Sequence, residues 1–203
     1  MTPAASHRFQ CRCGRLQGEI ADPARAVRAV CYCRDCQAYA HLLGEPQRVL
    51  DAQGGTDIVA AQAGSVRFTS GAEALACLSL SPRGLLRWYA GCCRTPIANT
   101  TRDWKLPYVG MVHSCLHHPQ ALEQSFPRVQ LQVNTKSAKG PLPGIAKIAG
   151  VARFARLMLR LLSARVAGRY RQTPFFDKTG APVVRVEVAA PEAVARARQA
   201  VAG

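Results

Sequence analysis

Short apolar runs broken by turn formers fill the first two thirds of the chain, whereas the last third repeats its apolar residues at helical spacing. Residues 18–22, 27–33, 56–62, 65–71, 75–81 and 84–90 are rich in Val, Ile, Leu and aromatic residues. Asp22-Pro23, Gly54-Gly55, Ser70-Gly71 and Ser81-Pro82-Arg83-Gly84 punctuate them, a pattern that predicts strands of an antiparallel β domain. One helix interrupts them, over residues 35–43, with Asp35 near its start and Gly44 past its end.

Around residues 134–144, two prolines and two glycines without apolar periodicity mark a linker or a change of architecture. The chain is therefore expected to be mainly β over residues 1–133, with a helical C-terminal extension over 134–203. From Ile145 to about Ala164, Ile148, Val151, Phe154, Leu157, Met158, Leu161 and Leu162 fall on one predicted helical face, opposite Arg153, Arg156 and Arg160. Arg165 and Arg169 would intrude on that stripe, so the helix should end or bend there. A last helix is expected from Pro191, with Glu192 in its first turn and Gly203 beyond its end.

Composition changes the picture in two ways. The balance of 48% hydrophobic and 19% charged residues in 203 is that of a globular protein able to bury a core, and it argues against disorder. The net charge of +15 is uneven: residues 1–127 carry 13 Lys/Arg against 9 Asp/Glu, a net +4, and residues 128–203 carry 14 against 3, a net +11. The opening residues hold no apolar signal segment and no uncharged run approaches a membrane span, so a cytoplasmic location is the expectation. Thiols stay reduced there, and nine cysteines point to metal ligation or catalysis before disulfides.

Seven of the nine are clustered: Cys11-x-Cys13, then Cys31-x-Cys33-x-x-Cys36, then Cys92-Cys93. Ligands two apart on a strand project to one side, and a Cys-x-x-Cys pair converges across a turn. Two closed tetrahedral zinc sites need eight ligands and seven are present, so one site could keep an open position, the arrangement of catalytic zinc. Cys77 and Cys115 stand alone and read as small buried hydrophobes. Among weaker candidates, His41 follows the triple and reads as a surface histidine rather than a fourth ligand, and His117-His118 reads as a loop. Arg34 and Asp35 inside the triple could tune the thiolates in opposite directions.

The order and spacing of the three cysteine clusters, with an aromatic strand running through Arg87-Trp88-Tyr89 into the turn and Thr95-Pro96-Ile97, resemble the glutathione-dependent formaldehyde-activating enzyme and centromere protein V family over roughly residues 8–112. Within that superfamily the chain is similar to a bacterial subgroup that also carries "CYC..CQA" and "RWYA.CC.TP". The resemblance implies an Mss4-like fold of short antiparallel sheets around two Zn2+ sites. It implies a catalytic zinc on Cys31, Cys33 and Cys36, and a structural zinc on Cys11, Cys13 and the Cys92-Cys93 turn. The turn departs from the family's Cys-x-x-Cys: Ala90 stands at the first ligand position and Cys92 is the substitute, which requires a turn that is not extended, with Gly91 easing the bend.

The activity implied is that of a carbon–sulfur lyase acting on a thiol–aldehyde adduct, as in the condensation of formaldehyde with glutathione to S-(hydroxymethyl)glutathione. The alternative is a non-catalytic zinc module whose basic C-terminal helix binds an acidic partner through Arg153, Arg156, Arg160, Arg165, Arg169 and Arg171. That partner would be nucleic acid or an anionic membrane surface.

Overall fold

The computed structural model describes residues 6–116, 121–145 and 147–202, leaving the side chains of 147–149 and 202 aside. Among them β1 (Ser6–Gln10), β2 (Gln17–Ala21) and β3 (Val27–Cys31) precede α1 (Arg34–Leu43). Then come β4 (Thr56–Gln62), β5 (Val66–Ser70), β6 (Leu75–Ser79), β7 (Leu86–Ala90), β8 (Thr95–Thr100), β9 (Tyr108–Val112) and β10 (Leu131–Val133). The chain continues through α2 (Lys147–Val166), β11 (Val186–Val188) and α3 (Pro191–Ala202). Each of the six apolar runs overlaps one of these strands, and the helix expected over 35–43 is α1. Gly44 ends it in the left-handed conformation that glycine adopts without strain.

The strands form two sheets. β1, β2 and β5 make a small antiparallel one, and the other eight run in the order β10-β3-β4-β9-β8-β7-β6-β11. Its inner pairs are antiparallel, whereas β10 and β11 add to β3 and β6 in parallel, so the larger sheet is mixed and each edge strand is only three residues long. Short edges limit the unpaired backbone on offer to another chain.

Alternation along the strands separates two faces. Val59, Ala61, Leu86, Trp88, Val109 and Met111 point toward the small sheet and pack with Phe9, Ile20 and Val66 in the main core. Phe175 and Phe176, from the segment between α2 and β11, join that core, with Trp88 and Phe175 ring centroids 5.1 Å apart. On the opposite face α1 and α3 pack over Leu78 and Leu80, and α2 covers Val27 and Ala60 with Leu157 and Leu161. The helices do not meet over the middle of the sheet. Between them lies a gap above β9, β8 and β7 that becomes important below.

α2 differs from the stripe read in its sequence. Gly150, Leu157, Leu161 and Ala164 are buried, while Val151, Phe154, Leu159, Leu162 and Val166 are exposed. The helix is apolar over more than half its circumference, and only one part of that arc faces the sheet. It ends at Val166, before a left-handed Gly168, near the expected stop. Ile148 and Gly203 lie outside the described residues in these respects, as do His117 and His118 altogether.

Candidate metal centres

Cys11, Cys13, Cys92 and Cys93 bring their sulfurs together from two turns 79 residues apart in sequence at the nearest direct contact, Cys13 to Cys92 at 3.3 Å. Cys11 lies 3.5 Å from Cys13 and 3.8 Å from Cys92, and Cys92 lies 3.9 Å from Cys93. A tetrahedron of thiolates with metal–sulfur bonds of about 2.3 Å has edges of about 3.8 Å, so this donor set fits one ion with little adjustment.

The vicinal pair converges because its turn is not extended. Cys93 N and Arg94 N both donate to Ala90 O, at 3.3 and 2.7 Å, winding Gly91 to Arg94 into a helix-like turn. Ala90 thus contributes the carbonyl that closes the turn, and Cys92 supplies the sulfur. Gly91 is not the residue with unusual backbone geometry: Arg94 is, at φ 58°. The strain of a non-glycine residue there is offset by its side chain, which donates to Leu43 O at 3.1 Å and Leu42 O at 2.6 Å, the last carbonyls of α1. Against the effect of burial, hydrogen bonds from Thr95 and from the Cys13 backbone pull Cys93 down to about 6, readying it as a thiolate ligand.

The second cluster is local. β3 ends at Cys31, Cys33 is the N-cap of α1, and Cys36 lies in its first turn, with all three sulfurs within 4.8 Å of one another. Cys36 N donates to Cys33 Sγ at 3.3 Å, and the helix N-terminus favours negative charge at that sulfur. Hydrogen bonds from the Cys33 and Cys36 thiols hold Cys31 far below the ordinary thiol range, helped by Asn134 Nδ2 at 3.4 Å. Those same bonds, with burial, hold Cys36 well above it.

The surroundings include residues that the sequence motif does not contain. Arg87 is buried with its Nη1 3.8 Å from Cys36 Sγ and 3.3 Å from Asn99 Oδ1, and its guanidinium stacks 5.0 Å from the Tyr39 ring centroid. Asn99 is the cross-strand partner of Arg87, and Asn134 reaches Cys31 from a left-handed residue at the end of β10. A charged residue inside the apolar run 84–90 was the available signal for Arg87. Nothing local signalled the two asparagines.

These sulfurs border the gap between the helices, a cavity of about 290 Å3. Cys31, Cys33 and Cys36 line it with Ile58, Leu80, Tyr108 and Phe154, and with Arg87 and Asn99. Because Val27, Ala29 and Cys31 alternate onto the same face, β3 delivers its sulfur to the cavity and not to the main core. The cavity beside the four-sulfur cluster is a different space, about 640 Å3, with Arg12, Arg48, Arg94 and Glu45 in its lining.

The remaining candidates fall into place. Cys77 and Cys115 are buried in the main core. His41 sits in the last turn of α1, outside the ligand group around Cys36. Asp35 pairs with Arg198 of α3 at 2.8 Å, and Arg34 is exposed. The donor sets therefore fit two metal ions, one on four sulfurs and one on three.

A family profile matches residues 5–187, from β1 into β11, and so includes the linker and α2. The chain belongs to the family of unknown function DUF6151. It also resembles a protein of Rhodobacter sphaeroides known from a crystal structure, at 19% identity and a TM-score of 0.41, over 62% of this chain and 99% of that one. That likeness is too weak to extend to a shared fold or function. No curated protein matches the chain.

Proposed function

We propose that this DUF6151 member is a zinc-dependent enzyme of the carbon–sulfur lyase kind, acting on a thiol–aldehyde adduct. One observation carries the reading: three of the seven clustered cysteines form an incomplete ligand set at an apolar cavity, whereas the other four, of which Cys11 and Cys13 line a separate cavity, form a complete set around a common centre. A zinc ion on Cys31, Cys33 and Cys36 would lower the pKa of a thiol bound at its remaining position. In the forward direction the thiol sulfur would add to the carbonyl carbon, the C=O π pair would move to oxygen, and oxygen would take the proton lost by the thiol. Reversal breaks the same C–S bond and returns the proton to sulfur, so no oxidant or reductant is needed.

The chain's own residues suit this addition. Arg87 places a fixed positive charge against Cys36, balancing thiolate at the cavity floor. Tyr108 also lines the cavity, and burial raises its pKa, so its hydroxyl stays protonated and able to donate to an adduct oxygen. Asn134 holds Cys31 by hydrogen bonding to its thiolate. An Mss4-like fold with Cys11, Cys13, Cys92 and Cys93 as its structural zinc clamp belongs to the same reading, as does a reducing cytoplasm that keeps all nine thiols free.

Metal content and turnover test it together. Purified protein should carry two zinc ions per chain, and Cys31→Ser/Cys33→Ser should carry one and lose turnover of glutathione plus formaldehyde. Full turnover in that variant would overturn the enzyme reading.

The exposed face of α2 favours a second reading, in which the zinc module docks on an anionic membrane. Val151, Leu159, Leu162 and Val166 are 60%, 66%, 57% and 83% exposed, and Arg153, Arg156 and Arg160 run beside them. Apolar exposure of that breadth suits an interfacial helix better than contact with phosphates of nucleic acid. Among the described residues no helix is long and apolar enough to cross a membrane, so the helix would lie on the surface. Cosedimentation with phosphatidylserine vesicles, lost in Leu159→Asp/Leu162→Asp, is the expected result; salt-sensitive binding to DNA that survives this variant would point to nucleic acid instead.

A further inference from the structure

The cavity at the three-sulfur cluster is poorly matched to a charged peptide thiol. Its walls include Ile58, Leu80 and Leu131, and its rim residues Leu85, Val133 and Phe154 are 42%, 39% and 43% exposed. A ligand entering between them slides over hydrocarbon before it reaches sulfur. The charged and amide side chains in the lining already have partners, and Tyr108 adds one neutral hydroxyl. Asp35 is paired with Arg198, Arg87 with Asn99 and Cys36, and Asn134 with Cys31. Arg87 is the one cation among the described lining residues, and Asp35 adds a negative charge at the same cavity.

Glutathione carries two carboxylates and an ammonium group. Inside these walls its carboxylates would lose water without gaining a cation, and the penalty for burying an unpaired charge is high. At about 290 Å3 the space also falls at the lower limit of ligand pockets, which run from about 300 to 1,000 Å3. Nearly all of what it offers to a ligand is apolar contact, plus one sulfur-facing end.

We infer that the site takes a compact apolar thiol, aromatic or branched-alkyl, and its aldehyde adduct, in preference to glutathione. The sulfur would sit at Cys31, Cys33 and Cys36, with the hydrocarbon against Leu80, Leu85 and Phe154. This rests on the thiol–aldehyde reading above and narrows it: charge recognition is absent from the pocket, so selectivity comes from the shape and dryness of its walls.

Cobalt-substituted full-length protein tests this without an activity assay. Four sulfurs saturate the Cys11/Cys13/Cys92/Cys93 centre, so visible cobalt bands that respond to added thiol report the three-sulfur one, and Cys33→Ser should abolish the response. Phenylmethanethiol should perturb those bands at a concentration about tenfold or more below that needed for glutathione, the discrimination that apolar contacts provide. Phe154→Ala, which removes hydrocarbon from the partly exposed rim, should raise the phenylmethanethiol concentration needed several-fold and so erase much of that advantage. Equal or tighter binding of glutathione would overturn the apolar preference and leave the thiol site standing. Absence of any response to either thiol would overturn both.

Discussion

The two cysteine clusters use the same ligand atom to opposite ends. Cys11, Cys13, Cys92 and Cys93 join two distant turns, and their four sulfurs leave an ion no further position to offer. Cys31, Cys33 and Cys36 come from one strand–helix junction that the backbone shapes by itself, and they face an apolar cavity. A metal at the first closes a long loop of chain, so its free energy is largely folding free energy. A metal at the second closes almost none. The difference teaches that ligand count and loop length together separate a staple from a reactive centre, even where every ligand is a thiolate.

The sharpest way to break this comparison is to remove one sulfur from each side. Cys11→Ser should destabilise the holoprotein by on the order of 5 kcal/mol, lowering Tm by 10 °C or more in a thermal melt, whereas Cys33→Ser should release its metal with a much smaller shift. Equal losses would mean that the three-sulfur site is also a staple.

Next in size is the seat of α2, the helix that carries Phe154 to the cavity rim. Leu157 is buried under α2, and Leu157→Ala should cost about 3 kcal/mol in chemical denaturation, against less than about 0.5 kcal/mol for Leu162→Ala on the exposed side. Loosening α2 in this way should blunt thiol binding at the cavity and leave the four-sulfur centre filled. Arg87→Leu acts closer to the metal: loss of its bonds to Asn99 and Cys36 should cost about 2 kcal/mol and weaken metal at the three-sulfur site about 10- to 100-fold, read by competition with a chelator. Smallest is Asn134→Ala, at an exposed position, which should weaken that same metal by about tenfold or less with no change in Tm.

Much of this was legible along the chain because it is local. β4, β7 and α1 follow from runs whose period and punctuation sit within ten residues, and the spacing of Cys31, Cys33 and Cys36 fixes a junction that forms on its own. β1, β8 and β9 carry weaker patterns: Thr95–Thr100 holds a proline and Tyr108–Val112 a glycine, and β9 is fixed in part by β4, about fifty residues back. β10 and β11 are three-residue parallel additions with no pattern of their own. The sequence could bring Cys92 to the clamp only as a requirement for a bent turn; what bends it is Arg94, whose anchor lies fifty residues back on α1. On α2 the apolar arc was too wide for periodicity to say which part is covered, and the contacts of Leu157 and Leu161 decide that.

That anchor makes α1 a connecting rod. Its first turn carries the three-sulfur junction, and its last carbonyls are held by Arg94, the residue after Cys93, so ten residues or about 15 Å of helix join one centre to the other. The same ten residues thus carry a sulfur junction at one end and the anchor of the vicinal-cysteine turn at the other, so the two centres share one rigid element.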